Sequence, residues 1–400
     1  MTRKARIHTM VGAILIASGI LFNGWTVPAW LSGIPAFEIV NLGPFIWLTD
    51  LLVVVPGILL VRYPEKTKVI LDGIIGLVLL FFMLLTIEAG FFLLNTLNRE
   101  DIRYEGGDYF VEDDLLGYAA APNIEITSVM IRNGGEVYRA DVSTNEFGWR
   151  ITPTDGEAAA GQFLIFFGDS LTFGYGVDDD ETLPYHAANL ASGFEPYNFG
   201  FNGYGPQNTL ALLEGQTLND RVSEHRGIAV YTFIDDHISR AIGSLRIHNQ
   251  WGRLMPYYTL DGQGETVRQG NFMTGRPYQS ILYILIGKSQ LVRYFGLDFP
   301  ILRDQHLALV AGMLAESREL LEAQFEQVDF YVLFYPGRSD LAPRLIPYLE
   351  EAGIHYLDYA DLFDLDRPGL WIEYDGHPTG AGYEAVAERL VDDLGIRSER

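Results

Sequence analysis

The chain has 400 residues, and its 28 Lys and Arg stand against 52 Asp and Glu, which gives a formal net charge of −24 at pH 7. A hydrophobic content of 48% with 20% charged residues excludes a disordered chain. The negative charge argues against nucleic-acid binding, which needs clustered cations, and the absence of cysteine excludes disulfides, thiolate nucleophiles and cysteine-ligated zinc.

The first 97 residues differ in character from the rest of the chain. They contain six Lys or Arg and five Asp or Glu, a net charge of +1, so the remaining residues carry −25. Long apolar runs cover residues 10–36, 42–61 and 69–97. Since a helix of about 20 apolar residues crosses a bilayer, residues 1–97 are predicted to form a three-helix transmembrane region. Core helices of a soluble protein are the alternative.

The flanks of these runs predict an orientation. Cations precede the first run and separate the second from the third: Arg3, Lys4, Arg6, Arg62, Lys66 and Lys68. The segment between the first and second runs has no Lys or Arg. Because cationic loops stay on the cytoplasmic side, we expect a multi-pass membrane protein with a cytoplasmic N-terminus and an extracytoplasmic C-terminal domain. A signal peptide in place of the first helix leaves that domain on the same side.

Three carboxyl residues interrupt the apolar runs, and two of them, Asp50 and Glu88, lie well inside; the third, Asp72, lies near the start of its run. An intramembrane carboxyl is costly, which makes Asp50 and Glu88 functional candidates. The alternative, favoured here because three helices form only a thin bundle, is that each is protonated or hydrogen-bonds a neighbouring helix.

Residues 98–160 are predicted to form a polar, β-leaning connector. Glu136–Arg139 and Asp141–Ser143 have strand character, and Thr144–Arg150 is typical of a turn with aromatic anchors. No pattern of catalytic residues occurs in this segment. We expect a spacer, or an added β-unit packed on the domain that follows.

From residue 161 to 400, apolar runs alternate with helical periodicity, which predicts an α/β domain with a parallel sheet. The predicted strands are Phe163–Phe167, Pro196–Phe199, Ile228–Ile234, Phe330–Tyr335 and Ile354–Leu357. Apolar stripes at helical spacing cover residues 307–325 and 383–394.

An insertion at about residues 241–300 separates two of these strands. It contains a predicted hairpin turn at 261–264 and an apolar segment, Ile281–Ile286. A lid or acyl-chain surface and a packed helix with its own small core are equally compatible with this pattern.

Polar residues with the chemistry of an active site follow the predicted strands. Ser170 lies at the junction of the first strand with a helix, and Asp375 and His377 open the C-terminal helix. A nucleophilic Ser needs a base, and the base needs an acceptor to orient it. The glycine-rich segment 197–207 follows the second strand and exposes backbone N–H groups, as an oxyanion hole requires.

Three segments resemble, in order, motifs of the SGNH/GDSL hydrolase family: GDSLTFGYG at 168–176, NFGFNGYG at 198–205 and DGHPTGAGY at 375–383. The resemblance covers about residues 161–395. It implies a flavodoxin-like α/β/α sandwich that hydrolyses or transfers ester-linked acyl groups without metal or cofactor. It also implies that Ser170 is the nucleophile, His377 the base and Asp375 its orienting acid, with the N–H groups of Gly200 and Ser170 as oxyanion donors.

The chain departs from the family pattern in two blocks. The family's last block is Asp-x-x-His, whereas Asp375 stands two residues before His377. In the third block, Asp235 occupies the position of an Asn whose amide donates to the oxyanion, and an ionised Asp only accepts hydrogen bonds. A protonated Asp235 would restore a hydrogen-bond donor to the oxyanion. His237 and Asn202, which are candidate substrate-binding residues, could supply that donor instead.

Two functions follow from these observations. The first is a membrane-anchored, outward-facing serine esterase or acyltransferase that acts on acylated glycans or lipids, with a membrane partner required for acyl transfer across the bilayer. The alternative, favoured by Asp235, is a catalytically weak or inactive SGNH-like protein that binds glycans or assists assembly.

Overall fold

The computed structural model describes residues 3–21, 43–154, 161–215 and 218–398. The chain divides into two compact units, residues 1–97 and 98–400. The second unit therefore includes both the predicted connector and the predicted α/β region. The end of the connector, residues 155–160, lies outside the described residues, as does the first apolar run from residue 22 onward.

The first unit consists of helices α1 (Arg3–Leu21), α2 (Gly43–Arg62) and α3 (Thr67–Leu97), with a 3-10 turn at Pro64–Lys66. Glycines allow α1 and α2 to approach closely. A Cβ atom on Gly12 would lie 2.6 Å from the carbonyl oxygen of Gly57, and one on Gly57 would lie 2.8 Å from that of Gly12. Asp50 is buried in this packing. Its Oδ1 would lie 3.2 Å from a Cβ atom placed on Gly19 of α1.

Among the described residues, one helical segment is long and apolar enough to cross a membrane: Gly76–Leu97, with a mean hydropathy of 2.5. The apolar parts of α1 and α2, Arg6–Leu21 and Val53–Arg62, are shorter. The first predicted run continues beyond the described part of α1. The structure thus supplies one candidate span in place of the three predicted, and Glu88 lies half-buried within it.

The second unit begins with a β-unit of short strands, which corresponds to the predicted connector. Its strands are β1 (Ile102–Glu105), β2 (Phe110–Asp113), β3 (Gly117–Ala120), β4 (Glu125–Arg132) and β5 (Gly135–Ser143). β1, β4 and β5 form an antiparallel sheet in the order β1-β4-β5, and β2 pairs with β3. Tyr138, Ala140 and Val142 alternate inward along β5 and join the apolar core of the α/β region.

The predicted parallel sheet is present. The remaining strands are β6 (Gln162–Phe167), β7 (Phe194–Asn198), β8 (Arg226–Phe233), β9 (Pro256–Leu260), β10 (Thr266–Asn271), β11 (Gln327–Phe334) and β12 (His355–Asp358). Five of them form one sheet in the order β12-β11-β8-β6-β7, and every pair in it is parallel. Taken along the chain, this is the 2-1-3-4-5 order of flavodoxin-like folds.

Both faces of this sheet are covered by helices. The helices of the second unit are α4 (Ser170–Phe173), α5 (Leu183–Leu190), α6 (Pro206–Gly215), α7 (Asp236–Ala241), α8 (Leu245–Gln250), α9 (Phe272–Gly275), α10 (Pro277–Ile286), α11 (Gln290–Tyr294), α12 (Asp304–Gln324), α13 (Ala342–Glu351) and α14 (Gly380–Asp393), of which α8 to α11 belong to the insertion. In β6, Phe163 and Ile165 pack with α6, α12 and α13, while Leu164 and Phe166 pack with α5 and α14. Burial on both faces explains why the strands are continuous apolar runs.

The predicted insertion lies between β8 and β11. The β9–β10 pair is an antiparallel hairpin around the predicted turn, and Asp261 N–H donates to the carbonyl of Glu265. The insertion is anchored by the fully buried Tyr258 and Phe272. The direction of winding reverses between β6 and β8, so their carboxyl ends border a crevice of the kind in which doubly wound sheets bind ligands.

Candidate active site

The turn between β6 and α4 positions Ser170. Gly168 has a φ of +146°, and a Cβ there would lie 2.4 Å from Oγ1 of Thr172, so only glycine fits. Asp169 caps α4, since its carboxylate accepts a hydrogen bond from the N–H of Leu171 at 3.0 Å. Ser170 is therefore the first residue of the helix, where its own N–H has no acceptor in the described parts of the chain.

The loop before α14 brings His377 and Asp375 to Ser170. His377 Nε2 lies 2.7 Å from Ser170 Oγ, and His377 Nδ1 hydrogen-bonds Asp375 Oδ1. With Nδ1 protonated toward the carboxylate, Nε2 accepts the hydroxyl proton of Ser170; this tautomer is assigned from the partners. The three side chains that the sequence predicts as nucleophile, base and orienting acid therefore lie in one series of hydrogen-bond contacts.

The short spacing between Asp375 and His377 is accommodated by a tight turn. The carboxylate oxygen of Asp375 that meets the imidazole also accepts the backbone N–H of His377 at 3.2 Å. Gly376 has a φ of +82°, and the carbonyl of His377 accepts the N–H of Ile372 at 2.8 Å. Two intervening residues are thus unnecessary for the contact between acid and base.

A charged network lies behind the proposed nucleophile. Asp169 Oδ2 is 2.7 Å from Arg240 Nη1 and 3.3 Å from His237 Nε2, and all three residues are buried. Burial alone would raise the pKa of Asp169, but the charge of Arg240 and the contact with His237 outweigh it and hold that pKa well below its usual range. Asp169 therefore stays ionised while it caps α4.

His237 belongs to this network, which corrects its prediction as a substrate-binding residue. It is fully buried, and its Nδ1 lies 2.9 Å from the hydroxyl of Tyr231. Burial lowers the pKa of His237 despite the neighbouring carboxylate of Asp169. The ring is enclosed by the sheet and α7 and does not reach the cleft.

A cleft of about 1380 Å³ opens over Ser170, Asp375 and His377. Much of its wall comes from segments for which the sequence showed no functional pattern. Aromatic side chains from the β-unit and the insertion line it: Tyr104, Tyr109, Phe110, Tyr118 and Trp251. Tyr175 also lines it, with its ring centroid 4.8 Å from that of His377. The predicted connector is therefore part of the candidate active site.

The loop after β7 contributes Asn202 and Gly203 to the cleft. Asn202 Nδ2 donates to the hydroxyl of Tyr109 at 2.8 Å, while its buried Oδ1 has no partner among the described residues. Gly203 has a φ of +78°, and a Cβ there would lie 2.6 Å from both Trp251 Nε1 and the hydroxyl of Tyr118. Its N–H has no acceptor within the described chain.

The predicted oxyanion role of Gly200 is wrong. Its N–H donates to Asn198 Oδ1 at 3.1 Å, so it is not available to a substrate. Gly200 packs against α4 instead, since a Cβ there would lie 2.5 Å from that of Thr172. Gly203, three residues further along the same loop, is the glycine that reaches the cleft.

Asp235 also lies away from the cleft, which corrects its predicted place in the oxyanion hole. Its carboxylate oxygens accept the N–H of Leu341 at 3.0 and 3.2 Å, and its own N–H donates to the carbonyl of Arg338. Burial raises the pKa of Asp235 to about 6, with a further increase from the charge of Asp340, against the lowering effect of the Leu341 hydrogen bond. The residue joins α7 to the 338–341 turn.

Arg150 clamps the loop that follows α4. Its fully buried guanidinium donates to the carbonyls of Phe173 at 3.0 Å, of Gly174, and of Val177 at 2.7 Å, and it pairs with Asp179 at 2.9 Å. The sequence predicts only a turn with aromatic anchors at this point. A buried Arg has no distinguishing signal in the sequence, because its partners are backbone carbonyls from a later segment.

Charged side chains of both signs line the cleft: Arg240, Arg246, Arg253 and Arg338, with Glu105, Asp108, Asp169, Asp236 and Asp375. Arg338 Nη2 donates to the carbonyl of Gly376 and so supports the turn that carries Asp375 and His377. Among the described residues there is no group of three or more His, Asp or Glu side chains that would hold a metal ion.

No protein-family model matches the chain, and comparison with curated proteins gives no match. Solved structures that resemble it include a lipolytic protein of the G-D-S-L family from Veillonella parvula (16% identity, 58% of this chain and 98% of that one, TM-score 0.34). Another is an acetyl xylan esterase from Butyrivibrio proteoclasticus (12% identity, 74% of this chain and 88% of that one, TM-score 0.35). A third is a catalytic mutant of an acetylxylan esterase from Geobacillus stearothermophilus (13% identity, 61% of this chain and 100% of that one, TM-score 0.34). These TM-scores are all below 0.5, so the likeness assigns no function to this chain.

Proposed function

We propose that the chain is a membrane-anchored serine esterase or acyltransferase of the SGNH/GDSL type, which acts on ester-linked acyl groups of glycans or lipids. The observation that carries the proposal is the continuous hydrogen-bonded series from Ser170 Oγ through His377 to Asp375 at the floor of an open cleft. A serine alcohol is a weak nucleophile unless a base removes its proton, and this series supplies the base and its orienting acid.

In the proposed reaction, Ser170 Oγ attacks the carbonyl carbon of the ester while its proton passes to His377 Nε2. Asp375 holds Nδ1–H and stabilises the imidazolium that forms. The N–H groups of Ser170 and Gly203 are the proposed donors to the oxyanion, since both residues line the cleft. His377 then protonates the leaving alkoxide. Water or an acceptor hydroxyl gives its proton to His377 and attacks the acyl carbon, the bond from that carbon to Ser170 Oγ breaks, and His377 returns the proton to Ser170.

The cleft wall supports a polyhydroxylated substrate. Tyr104, Phe110 and Trp251 present exposed aromatic surface, and Asn202 lines the cleft beside them. Sites of this kind combine apolar surface with a few placed polar groups. We therefore infer that Asn202 is a substrate-binding residue and that an acylated glycan is the leading substrate class.

Membrane anchoring is the second part of the proposal. The hydropathy of 76–97 supports one span. The first two helices of the unit also expose large apolar side chains, namely Ile7, Met10, Val11 and Ile14 on α1 and Leu51, Val55 and Ile58 on α2. We infer that they lie in the membrane as well. With cations between α2 and α3 held in the cytoplasm, residues 98–400 are extracytoplasmic.

Labelling with a fluorophosphonate probe tests the activated serine. Ser170→Ala and His377→Ala should each abolish labelling of the full chain and lower aryl-acetate turnover by about 10⁴-fold or more, with the double variant little worse than either. Matched controls are Ser192→Ala and His355→Ala, which change exposed residues outside the cleft. Additive losses, or labelling that survives Ser170→Ala, would contradict a shared catalytic unit.

Comparison of aryl acetates, longer aryl esters and acetylated oligosaccharides then defines the acyl group and the acceptor. The alternative of an inactive binding protein was favoured by Asp235 in the oxyanion hole. Since that carboxylate bonds Leu341 instead, no structural observation on the described residues now favours the alternative.

A further inference from the structure

Helix α10 of the insertion presents an apolar stripe to solvent. Tyr278, Ile281, Leu282 and Leu285 follow one another at helical spacing on one face, and they are 88%, 54%, 52% and 51% exposed. The opposite face is anchored, since Ser280 donates to the carbonyl of Phe272 and the ring of Tyr283 is buried. The exposed face is therefore held rigidly outward.

The apolar surface continues into the segment that leads to α12. Leu297, Phe299 and Ile301 are 41%, 42% and 72% exposed. Exposed apolar side chains in such number within one short stretch of chain favour a contact with another apolar phase. We call the exposed side chains of α10 together with residues 297–301 the apolar face.

The charge around the apolar face is opposite to that of the domain. Residues 277–303 contain Lys288, Arg293 and Arg303 against Asp298, a net charge of +2, while residues 98–400 carry −25. All three cations are exposed, and Lys288 is the single lysine after residue 97. Cations beside exposed apolar side chains complement anionic lipid headgroups over an acyl interior.

The chain itself keeps this domain near a bilayer if 76–97 spans it. Helix α3 ends at Leu97 and β1 begins at Ile102, and the extended chain between those residues reaches at most about 18 Å. Lipid is thus present at high local concentration, which lets a weak interfacial contact form. This step rests on the anchoring part of the proposed function.

We propose that the apolar face inserts into the outer leaflet of the membrane in which the chain is anchored. Lipid headgroups contact Lys288, Arg293 and Arg303, and the α10 stripe lies at the boundary of the acyl chains. The same insertion contributes Gln250, Trp251 and Arg253 to the cleft. Docking at this face therefore fixes the height of the cleft above the membrane and selects esters presented there.

The absence of native cysteine allows a direct test in the full chain. Leu282→Cys carries an environment-sensitive fluorophore after reconstitution into vesicles of phosphatidylcholine with a minority of phosphatidylglycerol. The matched control is Leu365→Cys, also a half-exposed leucine at 49%, beside Asp364 and Asp366. Lipid-borne nitroxide should quench the label at 282 at least about twofold more than that at 365, because interfacial helices lie about 5–10 Å deep.

A charge variant tests the headgroup contact. Lys288→Glu with Arg293→Glu should lower the lipid-quenched fraction at 282 by about fivefold or more in anionic vesicles, and less in pure phosphatidylcholine. Equal lipid quenching at 282 and 365 would overturn the inference. A second outcome would also overturn it: the 282 label is protected from both aqueous iodide and lipid-borne nitroxide, and this protection occurs only at high protein density. A second copy of the chain would then be the occupant of the apolar face.

Failure of the anchoring is distinguishable from failure of the docking. Release of the wild-type chain from vesicles by alkaline carbonate would refute the span and, with it, this inference. Retention of the chain with equal quenching at both labels would refute the docking alone and leave the esterase proposal untouched.

Discussion

Replacement of Asp235 by Asn distinguishes a carboxylate in the oxyanion hole, as the resemblance implies, from one that bonds Leu341 outside the cleft. By family resemblance the change should restore an oxyanion donor, and removal of such a donor costs about 10²–10³ in turnover. In the structure the carboxylate bonds the N–H of Leu341 outside the cleft. We therefore expect Asp235→Asn to change kcat for an aryl ester by less than about threefold at pH 7.

The same substitution should affect stability, with a sign fixed by the raised pKa. Burial raises the pKa of Asp235 to about 6 from the usual 3.8. The folded state therefore binds this proton more tightly, so ionisation destabilises the fold above about pH 6 and has no such effect below about pH 4. A difference of two pKa units corresponds to about 3 kcal/mol, and partial exposure of the carboxyl reduces this to about 1 kcal/mol.

The amide of Asn keeps an oxygen that accepts the Leu341 N–H, so the variant should lose the ionisation cost and little else. We expect it to raise the unfolding midpoint by about 2 °C at pH 7, a gain that vanishes toward pH 4. Thermal unfolding in detergent across a pH series, with turnover of one aryl ester measured in parallel, checks both parts. A rise in kcat of about 100-fold, or a stability difference independent of pH, would refute the placement of Asp235 and its raised pKa.

Three further substitutions test the site. Gly203→Ala puts a Cβ 2.6 Å from Trp251 Nε1. The change should lower kcat/KM by about 100-fold or more while the circular dichroism spectrum is unchanged. An unaffected rate would exclude the Gly203 N–H from the reaction. Asp375→Asn leaves the imidazole without its orienting acceptor and should lower kcat by about 10⁴-fold, whereas a loss below tenfold in steady-state kinetics would exclude that role. Arg150→Met removes a buried ion pair and its carbonyl contacts and should cost about 3–5 kcal/mol in chemical unfolding, so a cost under about 1 kcal/mol would contradict the clamp.

Sequence alone was sufficient to locate the sheet and the three groups of the proposed relay. Strands covered on both faces are continuous apolar runs, so β6, β8 and β11 were visible without any tertiary information. Ser170 and His377 could be paired because the carboxyl ends of parallel strands share one edge. These features depend on local patterns and on a general rule of topology.

The proposed oxyanion donors and the residues of the cleft wall could be identified only from the tertiary structure. A backbone N–H has no signature in residue type, and whether it is free depends on neighbours: Asn198 occupies that of Gly200, while that of Gly203 has no acceptor among the described residues. In the same way, the carboxylate of Asp235 meets Leu341, which lies 106 residues later in the chain. Contacts at such separation arise when the helices and strands pack against one another, and no local pattern in the sequence encodes them.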